Sequence, residues 1–596
     1  MTVRCRFDDL SAGRAFELAE PSTILTTSSL DRVVSVLHEV DDAIEAGGCV
    51  AGFVAYEAAP AFDPALCVAE RGVDALPLVW FGVFAERREV DVVDVPDREL
   101  HLRWHWSIDR AQFDAALSAI QGEIASGWTY QVNLTAQLAA SFRDQPIEIY
   151  RQLVHAQRGA HHGLIETDEF AVACGSPELF FAVERGRVTT RPMKGTARRG
   201  RFAAEDVTRA QALITSSKER AENLMIVDLL RNDLGKVAPI GSVETPSLFS
   251  LEQYPTVWQM TSTVAAEIGH VSLAMLFSAL FPCGSVTGAP KASTMAIIAR
   301  LEEAPRGPYC GALGWADGSG ESLRASFAVP IRTAVIDRVG ERMTYGVGSG
   351  ITVDSSVDAE WSELGAKAAI VTEPIVPHPL LETLRFSAVD GFIHLDRHLR
   401  RLEASANLLG HRFDRTRVDE ALASVVTTHG VARVRILLAP CGAVTVEAHP
   451  MGEEPVVPIR LGLSRIPVDR ADRRLFVKTT DRSRYDECLF GAGSDVDDVI
   501  LWNAEGEVTE TSRANLAVRL DGRWWTPPLR CGLLPGVGRE ILLEEGVVEE
   551  RPVTIDELRG AEGIDVVSSM RGRLAATFVE HVGTVPGLVG LAGGRG

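Results

Sequence analysis

The sequence predicts a mixed α/β (α+β) protein built from two consecutive domains. Its 596 residues exceed what one hydrophobic core usually supports. Short apolar strands alternate with amphipathic helices along most of the chain. The proline-rich stretch TEPIVPHP, which starts at Thr372, suits neither a helix nor a central strand and is typical of a linker. We therefore predict domains at 1–374 and 380–596 with a linker at 375–379, the first domain comprising a short amino-terminal part, 1–105, and a catalytic core, 106–374.

The composition is that of a globular protein in the cytoplasm. Hydrophobic residues make up 46% and charged residues 24% of the chain, as in ordinary globular domains. The formal charge of −21 argues against binding to nucleic acid or to an anionic membrane. The nine cysteines are scattered, and the start of the chain has no apolar leader, which favours reduced thiols inside the cell. Any site for an anionic substrate must therefore be locally basic.

One carboxylate and one amine flank a predicted β-hairpin. Glu178 follows a Ser-Pro pair and opens the apolar strand Leu179–Val183, because the residue before proline disfavours helix. A turn and a second strand follow, and Lys194 then lies between Pro192 and Gly195, a strand-to-loop junction. This pattern predicts a hairpin that brings Glu178 and Lys194 toward the same end of a sheet.

Two predicted helices carry pairs of carboxylates. The first is capped within Thr215–Ser217, and the second begins at Asp354–Ser356. Their charged positions, spaced at three or four residues, are Glu219 and Glu222 on the first helix, and Glu360, Glu363 and Lys367 on the second. Carboxylates of this number suit Mg²⁺, which prefers one or two of them together with water and substrate oxygens. Periodicity alone favours solvent-exposed faces over a metal site.

Two glycine-rich segments could hold a carboxylate through backbone amides. PCGSVTGAPK, residues 282–291, predicts a turn opening a helix at Pro290, and GVGSG, residues 346–350, predicts a turn with close backbone approach. A lone segment of this type is more often structural than a binding site.

These motifs together carry a family resemblance. SPELFF…RPMKGTARRG, ENLMIVDLLRND, PCGSVTGAPK, RGPYCGALGW and YGVGSGITVDS, between about Ile120 and Ile370, resemble the chorismate-utilising enzymes in order and spacing. In that family the position of Lys194 usually carries Ala in enzymes that aminate chorismate ortho to the ring carboxylate, and Lys in those that make 4-amino-4-deoxychorismate. The resemblance therefore implies a first half like aminodeoxychorismate synthase component I, with chorismate as substrate.

The resemblance also implies roles for individual residues. Lys194 would attack the substrate ring covalently and Glu178 would protonate the leaving hydroxyl. Mg²⁺ would be held directly by Glu222 and Glu363, and through water by Glu219 and Glu360. The two chorismate carboxylates would be surrounded by Thr287, Gly288, Tyr309, Arg332, Ser349, Gly350 and Lys367. The chain departs from the family at Gln259, near a place where relatives usually have His.

The second half resembles a different family. LLETLRFSAVDGFIHLDRHLRRLEASANLLG, which begins at Leu380, is similar to the fold class IV pyridoxal-phosphate enzymes, which have two subdomains and are commonly homodimers. The resemblance implies that Lys478, at the end of a strand Leu475–Val477, links to pyridoxal 5′-phosphate. It further implies the following roles: Arg397, Val537, Gly538 and Ser569 or Ser568 for the phosphate, Glu510 for the pyridine nitrogen, and Thr383 as a hydroxyl associated with lyase activity.

Taken together, the two resemblances imply two successive steps of 4-aminobenzoate synthesis for folate. The first half would aminate chorismate with Mg²⁺, and the second, like aminodeoxychorismate lyase, would release pyruvate. No glutamine amidotransferase motif is present, so ammonia would come from a separate glutaminase subunit or from solution. Alternatively, the first half is an anthranilate synthase component, and the second is a D-amino-acid or branched-chain aminotransferase or a non-catalytic module.

Overall fold

The computed structural model describes residues 3–580 except 73–74, 97, 99, 320–321, 373–377, 425–429 and 491–494. The described residues form two compact units. The first contains those of Met1–Arg198 and Arg209–Pro377, and the second contains Arg199–Thr208 and those from His378 onward. The predicted linker, 375–379, lies largely outside the described residues. No helix in the described ranges combines the length and apolarity needed to cross a membrane, and all nine cysteines are free.

The first unit contains two antiparallel sheets of ten strands each. In spatial order, one sheet consists of Gly288–Ala289, Gln131–Ser141, Arg342–Ile351, Thr333–Asp337, Phe170–Ser176, His161–Glu166, Arg4–Asp9, Arg14–Ala19 and Arg88–Val90, with His105–Trp106 beside Gln131–Ser141. The other consists of Met193–Arg198, Val257–Glu267, Arg187–Arg191, Leu179–Glu184, Ser322–Ala328, Ala312–Ser319, Cys49–Val54, Val79–Phe84 and Thr23–Thr27, with Glu244–Gln253 beside Val257–Glu267.

Buried apolar side chains hold the first unit together in four layers. A core between the sheets includes Phe7, Phe53 and Phe170. On the outer face of each sheet, one further core joins that sheet to helices. The α-helices of this unit are Val33–Glu45, Arg110–Ala125, Pro146–Gln157, Ser217–Leu234, Leu273–Leu280, Lys291–Leu301 and Val357–Thr372, and short 3₁₀ helices cover Leu30–Arg32, Tyr56–Ala61 and Gly284–Val286. The helix Ala203–Thr215 is divided between the two units.

The segment GVGSG does not form the predicted turn. Residues 346–350 lie inside the strand Arg342–Ile351, which pairs along its whole length with Gln131–Ser141. The glycines serve a different purpose there, because a Cβ built on Gly346 would lie 2.6 Å from the Tyr309 ring. Because Gly346 has no side chain, the strand leaves room for the Tyr309 ring to pack against its backbone.

The second unit contains two smaller sheets. The four-stranded sheet is ordered Gly391–Phe392, Leu380–Ser387, Val431–Leu438, Val444–Pro450. The eight-stranded mixed sheet is ordered Val508–Thr511, Asp498–Trp502, Ile459–Leu463, Gly572–Phe578, Gly563–Ser568, Asn515–Leu520, Arg523–Thr526, Glu549–Glu550. The helices are Leu395–Leu409, Arg415–Ala423, Ser483–Leu489, Val537–Glu544 and Ile555–Arg559, with 3₁₀ turns at Arg473–Phe476 and Leu529–Cys531.

The segment before Lys478 also differs from the prediction. Arg473–Phe476 form a 3₁₀ helix instead of a strand, because the Asp472 side chain accepts a hydrogen bond from the Arg474 amide at its start. Lys478 is nevertheless tied to a sheet, since its carbonyl accepts a hydrogen bond of 2.8 Å from the Leu381 amide.

Candidate active sites

A cavity of about 210 Å³ in the first unit is lined by both Glu178 and Lys194. Leu179–Glu184 and Arg187–Arg191 form the hairpin that was predicted, and Lys194 lies on the next strand, Met193–Arg198. The Ser176 hydroxyl accepts a hydrogen bond from the Glu178 amide and donates one to the Val329 carbonyl. This arrangement fixes the backbone from which the Glu178 carboxyl enters the cavity.

The acid and the amine have opposite pKa shifts. Burial raises the pKa of Glu178 to about 7, against the opposing effects of a Ser285 hydrogen bond and the Lys194 charge. One carboxyl oxygen, Oε1, has no hydrogen-bond partner among the described residues. Burial, and then the charge of Lys367, lower the pKa of Lys194. The cavity thus shifts the acid toward its protonated form and the amine toward its neutral form, which are the forms needed for proton donation and nucleophilic attack.

Four carboxylates line the same cavity: Glu219, Glu222, Glu360 and Glu363. Burial, and then the charge of Glu222, raise the pKa of Glu219. Burial raises the pKa of Glu222 against the charges of Lys194 and Lys218, and Glu360 and Glu363 raise it further. Burial opposes ionisation of Glu363, but its ion pair with Lys367, 2.7 Å long, lowers its pKa. Glu360 accepts hydrogen bonds from the hydroxyls of Ser355 and Ser349.

The donor set fits Mg²⁺ only with help from a ligand. In the described parts of the chain, no three His, Cys, Asp or Glu side chains come close enough together to hold a metal ion by themselves. Mg²⁺ usually takes one or two carboxylates and completes its shell with water and substrate oxygens. The repulsion between Glu219 and Glu222 is what a bound cation would relieve, so the residues fit an ion that arrives with the substrate.

The predicted substrate-binding residues divide into two groups. Tyr309, Arg332, Gly350 and Lys367 line the cavity, and Arg332 donates a hydrogen bond of 2.6 Å to the Gln157 side chain. Three others do not line it. The Thr287 hydroxyl bonds to the carbonyls of its own loop, Gly288 pairs with Val132 in the sheet, and the Ser349 hydroxyl bonds to Glu360. Their neighbours in the chain, Val286, Gly348 and Gly350, line the cavity instead.

The Gln259 side chain lies at the cavity beside Lys194. Its amide donates to the Gly195 carbonyl at 2.9 Å and its oxygen accepts from the Thr196 hydroxyl at 3.0 Å. Gln259 therefore holds the strand residues that follow Lys194 and presents no titratable group there.

A second cavity, of about 820 Å³, lies within the second unit and is lined by Lys478, Glu510 and Thr383. Burial, and then the Arg401 charge, lower the pKa of Lys478 to about 8. Glu510 is 3% exposed, and burial raises its pKa to about 8. Its oxygens accept hydrogen bonds from the Tyr485 hydroxyl at 3.0 Å and from the Asn515 amide at 3.2 Å.

The phosphate-binding prediction is partly wrong. Arg397 does not line this cavity, and its guanidinium pairs with Glu540 and Glu544. Arg401, one helical turn later, lines the cavity and is held by two hydrogen bonds to Glu382, of 2.8 and 2.7 Å. The sequence could not separate the two arginines, because residues four apart share one helix face.

The remaining residues fit a pyridoxal-phosphate group. Val537 and Gly538 begin the helix Val537–Glu544 and line the cavity with Ser568 and Ser569. A Cβ on Gly538 would lie 2.7 Å from the Ser568 backbone, so only glycine permits this approach of helix start and turn. Such a helix start favours a phosphate. In the part of the chain that the structure describes, Glu510 accepts hydrogen bonds from Tyr485 and Asn515 and makes no ion pair, so a protonated pyridine nitrogen would fit beside it.

Comparisons with known proteins agree with this division. Residues 8–373 match the model of the chorismate binding enzyme family, and residues 380–577 match that of class IV amino-transferases. Aminodeoxychorismate synthase component 1 of Klebsiella aerogenes is 40% identical over 261 residues, covering 44% of this chain and 57% of that protein. The Bacillus subtilis protein of the same name is 38% identical over 258 residues, covering 43% and 54%.

Anthranilate synthase enzymes match the same region. Component 1 of Aquifex aeolicus is 35% identical over 294 residues, covering 49% of this chain and 58% of that protein. The crystal structure of component I from Streptococcus pneumoniae covers 60% of this chain and 92% of its own, with a TM-score of 0.53 and 23% identity, a likeness of fold. The chain thus spans little more than half the length of these curated relatives.

The predicted fold is confirmed: a chorismate-binding fold is followed by a class IV aminotransferase fold. Because the first family model covers more than half of the chain, the protein belongs to the chorismate binding enzyme family.

Proposed function

We propose that the protein converts chorismate to 4-aminobenzoate in two steps, one in each unit. The observation that supports this most is the pairing in the first cavity of Lys194, with its lowered pKa, and Glu178, with a pKa of about 7. The first unit would make 4-amino-4-deoxychorismate, and the second would release pyruvate from it.

In the first step the Lys194 amine attacks C2 of the chorismate ring. The 4-hydroxyl leaves as water after taking a proton from Glu178, and ammonia then adds at C4 and expels the lysine. The net change replaces a hydroxyl by an amino group and regenerates Lys194. Arg332 and Lys367 supply positive charge for the substrate carboxylates.

Mg²⁺, held by Glu222 and Glu363 with Glu219 and Glu360 behind them, would polarise the ring carboxylate and ease departure of the hydroxyl. Glu360 suits an indirect role because both its oxygens already accept hydrogen bonds from serines.

In the second step Lys478 is the residue that moves protons. A pKa of about 8 lets its Nζ both release and accept a proton near neutral pH. Bound pyridoxal phosphate would supply an electron sink at the substrate nitrogen. Arg401, Val537, Gly538 and Ser569 would hold its phosphate, and Glu510, oriented by Tyr485 and Asn515, would keep its ring nitrogen protonated. Thr383 lies on the same cavity wall.

Ammonia would come from a separate glutamine amidotransferase subunit or from solution. Aminodeoxychorismate synthase component 1 relatives support the first source by their name, since a numbered component implies a partner.

The rival for the first unit is an anthranilate synthase activity, which the Aquifex aeolicus relative supports. Lys194 favours our proposal, because an ortho amination needs no lysine nucleophile in this cavity. An aminotransferase or a non-catalytic module is the rival for the second unit.

The test is an end-to-end assay of the purified full chain. Chorismate, Mg²⁺, pyridoxal phosphate and ammonium should yield 4-aminobenzoate and pyruvate in equal amounts. Lys194→Ala should abolish both products, whereas Lys478→Ala should consume chorismate without releasing pyruvate. Lys236→Ala, whose side chain is half exposed and paired with Asp233, is the matched control and should behave as the unaltered chain. Anthranilate as the product would refute the proposal.

A further inference from the structure

The cavity of the second unit has more positive charge than a cofactor requires. Seven cationic side chains line it: Arg401, Arg433, Arg435, Lys478, Arg482, Arg513 and Arg571. Four acidic side chains, Asp481, Asp497, Asp498 and Glu510, also line it, and each of these has a hydrogen-bond donor of its own. A basic cavity in a chain of net charge −21 points to an anionic ligand.

Most of the cations are already engaged. Arg401 is bound to Glu382, Arg435 lies 3.5 Å from Glu447, and the guanidinium groups of Arg482 and Arg571 donate to backbone carbonyls. Arg433 and Arg513 differ from them. Among the described residues, neither guanidinium makes an ion pair or a hydrogen bond. Both side chains are exposed at the cavity rim.

The position of Arg433 is electrostatically unfavourable in the free protein. In the four-stranded sheet Arg433 lies opposite Arg385 on one neighbouring strand and His449 on the other. Like charges directly opposite each other on antiparallel strands destabilise a sheet. The next cavity-facing residue of the strand, Arg435, lies opposite Thr383 and Glu447 and is neutralised. Arg433 therefore lines this cavity without a counter-charge among the described residues.

Arg513 approaches the cavity from a separate element. It lies in the loop between Val508–Thr511 and Asn515–Leu520, and the Thr511 hydroxyl accepts a hydrogen bond from its amide. The same hairpin carries Glu510 and Asn515, which are joined by a hydrogen bond. The loop is thus anchored at the cavity, while the Arg513 side chain is left available.

We propose that Arg433 and Arg513 bind the two carboxylates of a dianionic substrate, so that the second site selects dicarboxylates over ligands with a single carboxylate. The inference rests on the proposed function, whose intermediate carries a ring carboxylate and an enolpyruvyl carboxylate. Each guanidinium can hold one carboxylate through two parallel hydrogen bonds.

The test measures binding without turnover. The cofactor-loaded full chain is titrated with 3-(carboxymethoxy)benzoate, a dicarboxylate, and with 3-methoxybenzoate, its match with one carboxylate, following the visible absorbance of the cofactor. Neither probe has an amine. The dicarboxylate should bind more tightly, and Arg433→Gln and Arg513→Gln should each weaken it about tenfold, the usual loss for one charge-assisted contact. For 3-methoxybenzoate only the substitution of the arginine that holds the ring carboxylate should weaken binding, and the other should change it at most about twofold.

Arg385→Gln is the control, because it removes a neighbouring charge that does not line the cavity; it should change either affinity by less than about twofold, as expected for a screened exposed charge. Equal affinity of the two probes, or an equal effect of all three substitutions, would overturn the inference. Failure to make 4-aminobenzoate while the dicarboxylate preference persists would refute the proposed function alone.

Discussion

At the scale of single residues, the proposed amination depends on the contrast between Glu178 and Lys194. Burial raises the pKa of the Glu178 carboxyl and lowers the pKa of the Lys194 amine, since desolvation disfavours whichever form is charged. The chain contains only six lysines, and Lys194, Lys218 and Lys367 line the first cavity while Lys478 lines the second. Four of the six lysines therefore line the two candidate active sites.

The pH dependence of the first step should report Glu178. Its pKa of about 7 means that the acid form is present below pH 7 and is lost as pH rises. We expect kcat/KM for chorismate amination to fall above about pH 7. Glu178→Gln should remove this descending limb and lower the rate about 10²- to 10⁴-fold, the usual contribution of a general acid.

Glu184→Gln is the matched control, at the exposed far end of the same strand. Glu184→Gln should keep both the amination rate and the fall of kcat/KM above about pH 7. If that fall persists in Glu178→Gln, another group is responsible for the titration.

Sequence patterns predicted the positions of some site residues and not of others. Glu178 and Lys194 could be predicted because Pro and Gly fix the backbone on either side of a short hairpin. Arg401 was missed in favour of Arg397, because the choice depends on how the helix Leu395–Leu409 is rotated against its sheet. Thr287 and Ser349 were placed in the site because motif position does not reveal which way a side chain turns.

At the scale of elements, two helix faces bring carboxylates to one cavity. Ser216 caps Ser217–Leu234 by accepting a hydrogen bond from the Glu219 amide, which places Glu219 and Glu222 in the first turns of the helix. Negative charge is favourable at a helix start. The carboxylate spacing could be predicted from the sequence. That both helices bring their carboxylates to one cavity depends on long-range packing and could not be predicted.

Removing one of these carboxylates should weaken the metal requirement selectively. Glu222→Gln should raise the Mg²⁺ concentration for half-maximal amination at least about tenfold, because a charged ligand is replaced by a neutral one. Asp228→Asn, on the exposed side of the same helix, should leave the Mg²⁺ dependence unchanged. Equal Mg²⁺ curves for both variants would exclude Glu222 as a ligand.

The strand Arg342–Ile351 gives a test of its glycines. Gly346→Ala should destabilise the first unit by about 1–3 kcal/mol, because the new methyl group would overpack the core against the Tyr309 ring. Amination should fall as well, since Tyr309 lines the cavity. Chemical denaturation of the full chain measures the first effect.

Gly365→Ala should have the opposite effect on stability and raise the free energy of unfolding. Gly365 is exposed within the helix Val357–Thr372 and has open space around it, so alanine should stabilise by roughly 0.5–1 kcal/mol. Equal effects of the two substitutions would show that the space around Gly346 is not limiting.

At the scale of the whole molecule, two chemically different cavities occupy two compact units. The product proposed for the first is the substrate proposed for the second. Both families could be predicted from sequence, because their motifs cluster on either side of a proline-rich stretch. The order of strands in the sheets could not, since it is determined by contacts between residues distant in the chain. A homodimer remains a prediction.

The most direct test of the central claim is peptide mass spectrometry of the Lys478→Ala full chain after incubation with chorismate and Mg²⁺ but no ammonium. We predict that Lys194 gains the mass of chorismate less one water, because nothing is present to expel it. Adding ammonium should return Lys194 to its free form and release 4-amino-4-deoxychorismate. An unmodified Lys194 in a sample that still aminates chorismate once ammonium is added would contradict the account.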